Sequence, residues 1–455
     1  MGRWCTARRR AGSGGDRPRA SVPTPVRPTP VRGTSLRLAV VTAVLISTAA
    51  VPGGAALAAG PAGGYTFAEG AQRIEGANGT AGAAPLKPGT TYRSSLPRSG
   101  TVHYRMELDA ASDTYVSVTA VPGTDGEVTA VDGIRVSLRD DDGGTCSLDS
   151  AAFGAAHSPR PLTAWVQHET ASGRKRCQEP GTYYVTVERS RPQDSPPRPW
   201  DLELTTATEP HPRETGATTA PESWDSASPE PLTGEPEHRP GGSGFADATA
   251  VGQGAWRGDI RPGQTLFYKV PVDWGRRLHA TAELDGSGAA SGYATGALRI
   301  ALHNPVRGEV DAAAKGYTGR RTTVGLAPLP PVAHRNRYTA DTQVSGMRFA
   351  GDHYLVVHLA AQVADAFGEG PFALTLRVRL TGAAEAGPEY AGESVPKGLF
   401  EVSAPDRATA PQGEAAGGDL AMKAVAVGGI GTGSLLLVGL GVWTAVARRR
   451  GDRAF

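Results

Sequence analysis

Two cysteines carry the clearest chemistry in this sequence. Cys146 and Cys177 lie about 30 residues apart, and an even pair of cysteines in an oxidising compartment is expected to form a disulfide. Closing a loop of that length stabilises a fold by about 2–4 kcal/mol. Two free thiols and a metal pair are the alternatives, and a metal site would need more ligands than lie nearby. We therefore predict a disulfide between Cys146 and Cys177.

The other polar motifs do not indicate catalysis. Residues 140–144 could coordinate calcium through three carboxylates, but they lack the spacing of an EF-hand loop, and a surface turn is the preferred interpretation. The sequence has no H-E-x-x-H zinc motif and no G-x-S-x-G nucleophile elbow, and its ten histidines are scattered. We therefore predict no catalytic residue, no metal site and no cofactor.

Two long segments offer candidate binding residues. Residues 139–180 and 303–350 show little strand pattern and are predicted to project as loops, and loops on a rigid scaffold commonly bind partners. Their aromatic and arginine side chains are of the types enriched at interfaces, although ordinary solvated loops are the alternative. The candidates are Trp165, Tyr317, Arg320, Arg321, Arg335, Arg337 and Tyr338.

The sequence predicts that short β-strands position these two loops. Apolar and polar residues alternate over five to eight positions between Gly, Pro or Asp residues, which is the period of half-buried strands. Four blocks of this kind recur in the same order, which indicates a duplicated unit. Residues 92–96 and 101–109 match 256–260 and 265–273, 134–138 match 298–302, 181–187 match 351–357, and 200–204 match 372–376. We predict an all-β protein with two antiparallel, jelly-roll-like β-sandwiches.

The N-terminus is typical of a secretory signal peptide. Nine arginines and one aspartate in residues 1–37 precede an apolar run at 38–46 and small residues that end at Ala58. The predicted cleavage follows Ala58, and an uncleaved membrane anchor is the alternative. The basic region before the apolar run is unusually long, so translation could begin downstream of Met1.

A second apolar segment lies near the C-terminus. Residues 424–447 are 24 residues without charge, long enough for a transmembrane helix. Arg448, Arg449 and Arg450 follow, and the positive-inside rule places them in the cytoplasm. The sequence thus predicts a single-pass type I protein of the cell membrane with an extracellular ectodomain. Gly429 and Gly433 form a GxxxG pair that would allow a dimer.

Charge and composition divide the rest of the chain. The formal charge of +2 conceals a net −9 between the basic N-terminal region and the basic tail, which argues against nucleic acid as a partner. Two acidic stretches with few large apolar residues are predicted spacers. The predicted parts are a signal peptide at 1–58, sandwiches at 59–208 and 244–383, a linker at 209–243, a stalk at 384–423, a membrane helix at 424–447 and a tail at 448–455.

The strand blocks resemble a known family. Residues 181–187, 263–270 and 298–302, with the final Trp/Phe-x-Leu-x-Leu strand, are similar to bacterial pre-peptidase C-terminal (PPC) domains and related jelly-roll sandwiches. The whole layout resembles an actinobacterial type I surface protein. The resemblance implies a noncatalytic domain that accompanies secreted enzymes or surface proteins, although this chain has no attached peptidase domain.

These patterns favour a noncatalytic surface protein that binds or scaffolds an extracellular or membrane protein. One alternative is a hydrolase or peptidase accessory that acts on cell-wall or extracellular polymer. Another is an adhesin for wall glycans. The first is preferred because anchor, spacer and duplicated module are present whereas catalytic motifs are missing from the sequence.

Overall fold

The computed structural model describes residues 64–410, apart from residues 99, 124–127, 171–176, 191–197, 215, 220–222, 225, 228, 230–231, 233 and 289–291. All the described residues belong to one compact unit. The predicted signal peptide, membrane segment and tail, with Gly429, Gly433 and Arg448–Arg450, lie outside them. Within the described ranges no helix combines the length and the apolar character needed to cross a bilayer.

Strands are the main secondary structure of the described residues, as the alternating pattern predicts. Module 1 contains β1 (Gln72–Arg73), β2 (Ala84–Pro85), β3 (Thr91–Leu96), β4 (Thr101–Leu108), β5 (Ser112–Val121), β6 (Gly133–Arg139), β7 (Thr145–Ala152), β8 (Leu162–His168), β9 (Gly181–Ser190) and β10 (Trp200–Pro210). Module 2 contains β11 (Glu237–His238), β12 (Thr249–Ala250), β13 (Gly254–Ile260), β14 (Thr265–Val272), β15 (Arg277–Leu284), β16 (Ala294–His303), β17 (Glu309–Tyr317), β18 (Thr322–Gly325), β19 (Gly351–Leu359) and β20 (Phe372–Thr381). The described residues also contain three short α-helices, α1 (Thr342–Gly346), α2 (Val363–Phe367) and α3 (Ala404–Thr409).

The two modules have the same topology. In module 1, sheet A1 has the order β1-β3-β10-β5-β8 and sheet B1 the order β2-β4-β9-β6-β7. In module 2, sheet A2 has the order β11-β13-β20-β15-β18 and sheet B2 the order β12-β14-β19-β16-β17. Each strand of module 2 therefore takes the position of the strand ten places earlier, and each module is a two-sheet β-sandwich.

The strand registers agree with the alignment of the repeated blocks. Leu138 pairs with Val185 in module 1, and their aligned counterparts Leu302 and Leu355 pair in module 2. Likewise, Leu96 lies opposite Trp200, and Ile260 lies opposite Phe372. The same side chains therefore face each core, because a shift of one residue would turn a strand over.

Each module has its own hydrophobic core between its two sheets. Tyr104, Ile134 and Leu204 are fully buried in the first, and Tyr268, Leu298 and Leu376 hold corresponding places in the second. The disulfide between Cys146 and Cys177 is present beside the first core, which confirms that prediction.

Two parts of the chain are more ordered than their composition suggests. The segments expected to be loops contain the edge strands β7 and β8 in module 1, and β17, β18 and α1 in module 2. In the predicted stalk, Val395 forms an antiparallel bridge with Thr208, and Tyr390 forms one with Pro212. Polar, Gly-rich and Pro-rich sequence can still be ordered where it packs on an existing surface.

Candidate binding cleft between the two modules

A buried charge cluster joins the modules. Arg337, in a 3-10 turn of module 2 (His334–Tyr338), reaches the outer face of sheet A1. There its Nη1 donates to Asp113 Oδ2 (3.1 Å) and its Nη2 to Glu209 Oε1 (2.8 Å). All three side chains are almost completely buried. Because two carboxylates surround this one guanidinium, the pKa of Arg337 lies well above its usual value despite burial.

Two further ion pairs connect the modules. Arg348 donates to Glu169, and Arg307 donates to Glu203, and both carboxylates are buried. Tyr65 Oη also donates to Glu203, at 3.1 Å. Burying a charge is unfavourable unless it is paired and hydrogen-bonded. These three arginines therefore fix module 2 on sheet A1.

An aromatic cluster fills the junction between the ion pairs. Phe349 from module 2 lies edge-on to Tyr115 from sheet A1, with ring centroids 5.1 Å apart. Phe400, from the segment that follows module 2, stacks on Phe349 at 5.1 Å. All three rings are buried. Residues 390–400 thus close the junction from one side, and Tyr390 Oη donates to Glu209 Oε1 at 2.7 Å.

A hydroxyl of module 1 binds both the side chain and the backbone of module 2. Ser158 Oγ lies 2.9 Å from His358 Nε2 and accepts a bond from the Ala361 amide at 2.9 Å. The other ring nitrogen of His358 lies 2.9 Å from Thr265 Oγ1. Burial and the nearby cations Arg160 and Arg299 lower the pKa of His358 to about 3, so this imidazole is neutral.

The docked modules enclose a polar cleft of about 670 Å³. Strands β7 and β8 form one wall, the outer face of β16 and β19 forms the floor, and β17 with the turn and helix that carry Arg337 and Thr342 completes the cleft. Its polar lining comprises Asp149, Ser150, Arg160, Thr163, Gln167, Arg299, His303, Glu309, Asp311, Arg337, Thr339, Thr342, Gln343, Ser345, Arg348 and His358. Trp165 contributes an aromatic surface to it.

The pKa values of two carboxylates in the cleft are shifted in opposite directions. Burial raises the pKa of Asp149, and the negative charge of Glu309 raises it further. Hydrogen bonds from the backbone amides of Trp165 and Ser150 lower this pKa, but they do not outweigh the effect of burial. Burial would also raise the pKa of Glu309, but Arg299 and His303 outweigh that effect and hold it below its usual value. Glu309 accepts two bonds from Arg299 Nη2, at 2.9 and 3.1 Å, and its side chain is 40% exposed.

The basic side of the cleft is held by backbone carbonyls. Arg160 donates to the carbonyl oxygens of Ala152 and Phe153, both at 2.8 Å. Burial and the neighbouring Arg299 lower the pKa of Arg160 to about 9. Its guanidinium is therefore fixed in position close to a second cation.

An acidic side chain closes the edge of each sandwich at the cleft. Asp149 on β7 accepts a bond from the amide of Trp165 on β8, at 3.0 Å. Asp311 on β17 accepts one from the amide of Ala327, just after β18, at 2.8 Å. Both contacts link the edge strands of facing sheets, and the module 1 counterpart of the Asp311 contact is the bond from the Gln167 amide to Ser147 Oγ. Both carboxylates are thus structural supports as well as parts of the cleft lining.

The structure brings together only part of the predicted binding set. Trp165 and Arg337 line the cleft, and Arg337 is already engaged with module 1. Tyr317 is fully buried in the core of module 2 and donates its hydroxyl to the Asp285 carbonyl, so it cannot contact a partner. Arg320 and Arg321 lie at the β17–β18 turn, and Arg335 and Tyr338 belong to the turn beside Arg337.

Most of the cleft residues were missed by sequence reasoning. Asp149, Arg299 and Glu309 are polar residues on strands, where alternation alone assigns them to a solvated face. The only available signal is the place of Asp149 and Glu309 in the two segments that also supply the candidate binding residues, and Arg299 lies outside both segments, in the strand block 298–302. The aspartates at 140–142 belong to a turn, in which Asp140 Oδ1 accepts the Gly144 amide. Asp140 also lies near Cys146 and Cys177, whose sulfurs are joined to each other and so offer no thiolate for a metal.

Comparisons with known proteins leave the family open. No family model matches the chain, and no curated protein matches it. Among solved structures, the CUB1-EGF-CUB2 region of human MASP-1/3 matches at 8% identity and a TM-score of 0.15, covering 64% of this chain and 99% of that one. Tripeptidyl peptidase 2 matches at 8% identity and a TM-score of 0.20, covering 65% and 24%.

A third similar structure is the CBM22-1–CBM22-2 tandem of Paenibacillus barcinonensis Xyn10C. It matches at 9% identity and a TM-score of 0.17, covering 64% of this chain and 85% of that one. Likenesses of this degree carry no conclusion about function.

Proposed function

We propose that this chain is a noncatalytic binding protein, anchored in the cell membrane with its two modules outside the cell. The cleft between the modules is its binding site. The observation that carries the proposal is the docking of module 2 on sheet A1, which holds both walls of a 670 Å³ cleft in fixed positions. A preorganised concave site is what small-ligand binding requires.

Three features support the extracellular location and the architecture. The disulfide suits an oxidising compartment. The N-terminal leader and the apolar segment at 424–447 suit a type I membrane protein. The eight long strands of each module follow a jelly-roll order, and this agrees with the resemblance to PPC-like sandwiches.

A hydrolase is the second candidate, favoured by one observation. Asp149 and Glu309 line the same cleft with pKa values shifted in opposite directions, which is the pattern of a general acid paired with an ionised carboxylate. Binding is preferred because each carboxylate already has a structural partner, the Trp165 amide and Arg299 respectively. Polymer hydrolysis that is lost in Asp149→Asn would reverse this preference.

Site-specific cross-linking in the native membrane tests the proposal. A photoreactive side chain at Ser150 or Thr342 faces the cleft, and one at Ser95 is an exposed control on β3, away from the cleft. We expect the same molecule to be captured from Ser150 and from Thr342 but not from Ser95. Capture that is equal at all three positions would contradict the cleft as the binding site.

A further inference from the structure

We infer that the cleft between the modules binds an electrically neutral, polyhydroxylated ligand of the saccharide class. This inference rests on the proposed binding function and names the chemistry of its ligand. It follows from the polarity, the charge balance and the strand edges of the cleft.

The lining excludes an apolar ligand. Small-molecule pockets are usually lined mainly by apolar and aromatic groups. Here the floor carries Arg299, His303 and His358, and the opposite side carries Thr339, Thr342 and Gln343. An apolar ligand would remove water from the hydroxyl groups of Thr339 and Thr342 and offer no hydrogen bond in return, which is unfavourable.

The charges of the lining nearly balance, so a strongly charged ligand is not favoured. Buried carboxylates of module 1 neutralise two of the arginines: Asp113 and Glu209 pair with Arg337, and Glu169 pairs with Arg348. The other two cations, Arg160 and Arg299, face three carboxylates, those of Asp149, Glu309 and Asp311. Neutral hydroxyl groups can both donate and accept hydrogen bonds, and so suit such a mixed surface.

Exposed hydroxyl and amide groups, together with one aromatic ring, complete the chemistry. Ser150 and Thr342 are exposed in the cleft, and Gln343 is held there by its bond to Asp311 Oδ1. Trp165 is partly exposed on the wall. A saccharide ring has an apolar C–H face and polar edges, which matches an aromatic side chain surrounded by hydrogen-bonding groups.

The strand edges argue against an extended peptide as the ligand. A peptide commonly binds a sheet by pairing with the free amides of an edge strand. On β8, the Trp165 amide donates to Asp149 and the Gln167 amide donates to Ser147 Oγ, at 3.0 and 3.2 Å. These side chains of β7 occupy the positions that an added strand would need.

A glycan array with the full-length protein tests the inference. The protein is held in a zwitterionic detergent that contains no sugar, and the array displays neutral, amino-sugar and acidic oligosaccharides beside a set of short peptides. The best neutral oligosaccharide is then titrated by calorimetry. Ser150→Trp fills the cleft from an exposed strand position, and Ser95→Trp is the matched control on an exposed strand position elsewhere.

We expect a neutral oligosaccharide to bind, with affinity reduced about tenfold or more by Ser150→Trp and unchanged by Ser95→Trp. Thr342→Trp replaces Ser150→Trp if the latter unfolds the protein. Binding of peptides or acidic glycans alone, binding that is insensitive to both cleft variants, or no binding to the array would each overturn the inference. If the array fails while Ser150 and Thr342 still cross-link one partner, the proposed function stands and only the ligand class is wrong.

Discussion

The outer faces of sheets A1 and A2 have the same strand topology but differ in burial: the A1 face is covered, and the A2 face is partly exposed to solvent. On the A2 face, β15 alternates strictly between buried and partly exposed residues. The equivalent strand of A1, β5, is buried at eight consecutive positions. Both strands have a polar outer side, with Asp113 and Tyr115 on β5 at the positions of Arg277 and His279 on β15. The face of A1 is buried because module 2 covers it.

This difference separates two kinds of information in the sequence. Alternation determines which side of a strand faces its own core, and it does so correctly in both modules. Whether the other side is exposed depends on what docks there. The acidic residues of A1 are matched by arginines that lie between about 100 and 220 residues away in the sequence. The alternation of apolar and polar residues along a strand therefore does not predict these ion pairs.

The largest expected effect is at the centre of the covered face. Arg337→Met would leave Asp113 and Glu209 buried without their cation, and we expect a loss of about 3–5 kcal/mol in the free energy of unfolding. The control is Arg257→Met, which removes a partly exposed ion pair with Asp285 and is expected to change stability by less than about 1 kcal/mol. Denaturant titration of both variants measures the difference, and equal losses would contradict the special status of the A1 face.

The second prediction concerns the segment that closes the junction. Phe400→Ala removes a fully buried ring that stacks on Phe349, and we expect a loss of about 3 kcal/mol. Val395→Ala, at a 41% exposed position of the same segment, should cost less than about 1 kcal/mol. If thermal unfolding showed the two variants to be alike, the segment would not be part of the packed junction.

The third prediction concerns the disulfide, which is found in module 1 alone. Cys146→Ser with Cys177→Ser removes the constraint on a loop of 31 residues, and we expect a loss of about 2–3 kcal/mol. The intact mass of the wild-type protein should rise by about 2 Da on reduction, which reports the bond itself. An unchanged mass, or an unchanged unfolding midpoint in the double variant, would count against a stabilising bridge.

The smallest expected effect is a pH dependence that belongs to module 2. Burial lowers the pKa of His353 to about 4, whereas the equivalent position in module 1 is Tyr183. A histidine whose pKa is lower in the folded protein than in the unfolded chain binds its proton more readily on unfolding. Its contribution is therefore lost as pH falls from about 6.5 towards 4. His353→Phe should reduce the fall in stability between pH 6.5 and 5 by about 1–2 kcal/mol.

Unfolding measured at several pH values checks this prediction. His211, at the junction of the modules, has the opposite effect on the pH dependence of stability. Its hydrogen bond to Asp113 raises its pKa, so its contribution to stability is lost as pH rises. His211→Gln therefore serves as the control, and it should leave the acid-side fall unchanged. An identical pH profile for the wild type and His353→Phe would contradict the assignment.

The sequence predicts the fold more fully than the site. The strand blocks, their duplication and the pairing of Cys146 with Cys177 follow from local alternation and cysteine count. The cleft cannot be predicted in this way. Asp149, Arg299 and Glu309 come together only when β7 of one module faces β16 and β17 of the other. Residue type correctly identifies Trp165 as part of the cleft lining. The same reasoning places Tyr317 on a binding surface, but Tyr317 is a core residue.

Hydroxyl-radical footprinting of the full-length protein in its membrane tests the central claim, the docking of module 2 on sheet A1. Tyr115, Phe349 and Phe400 are buried only through the junction of the modules, and Tyr293 is a 65% exposed reference. We predict slow oxidation of the three junction rings and rapid oxidation of Tyr293. Oxidation of Tyr115 and Phe349 at rates comparable to Tyr293 would show that the modules are separate and that the cleft does not exist.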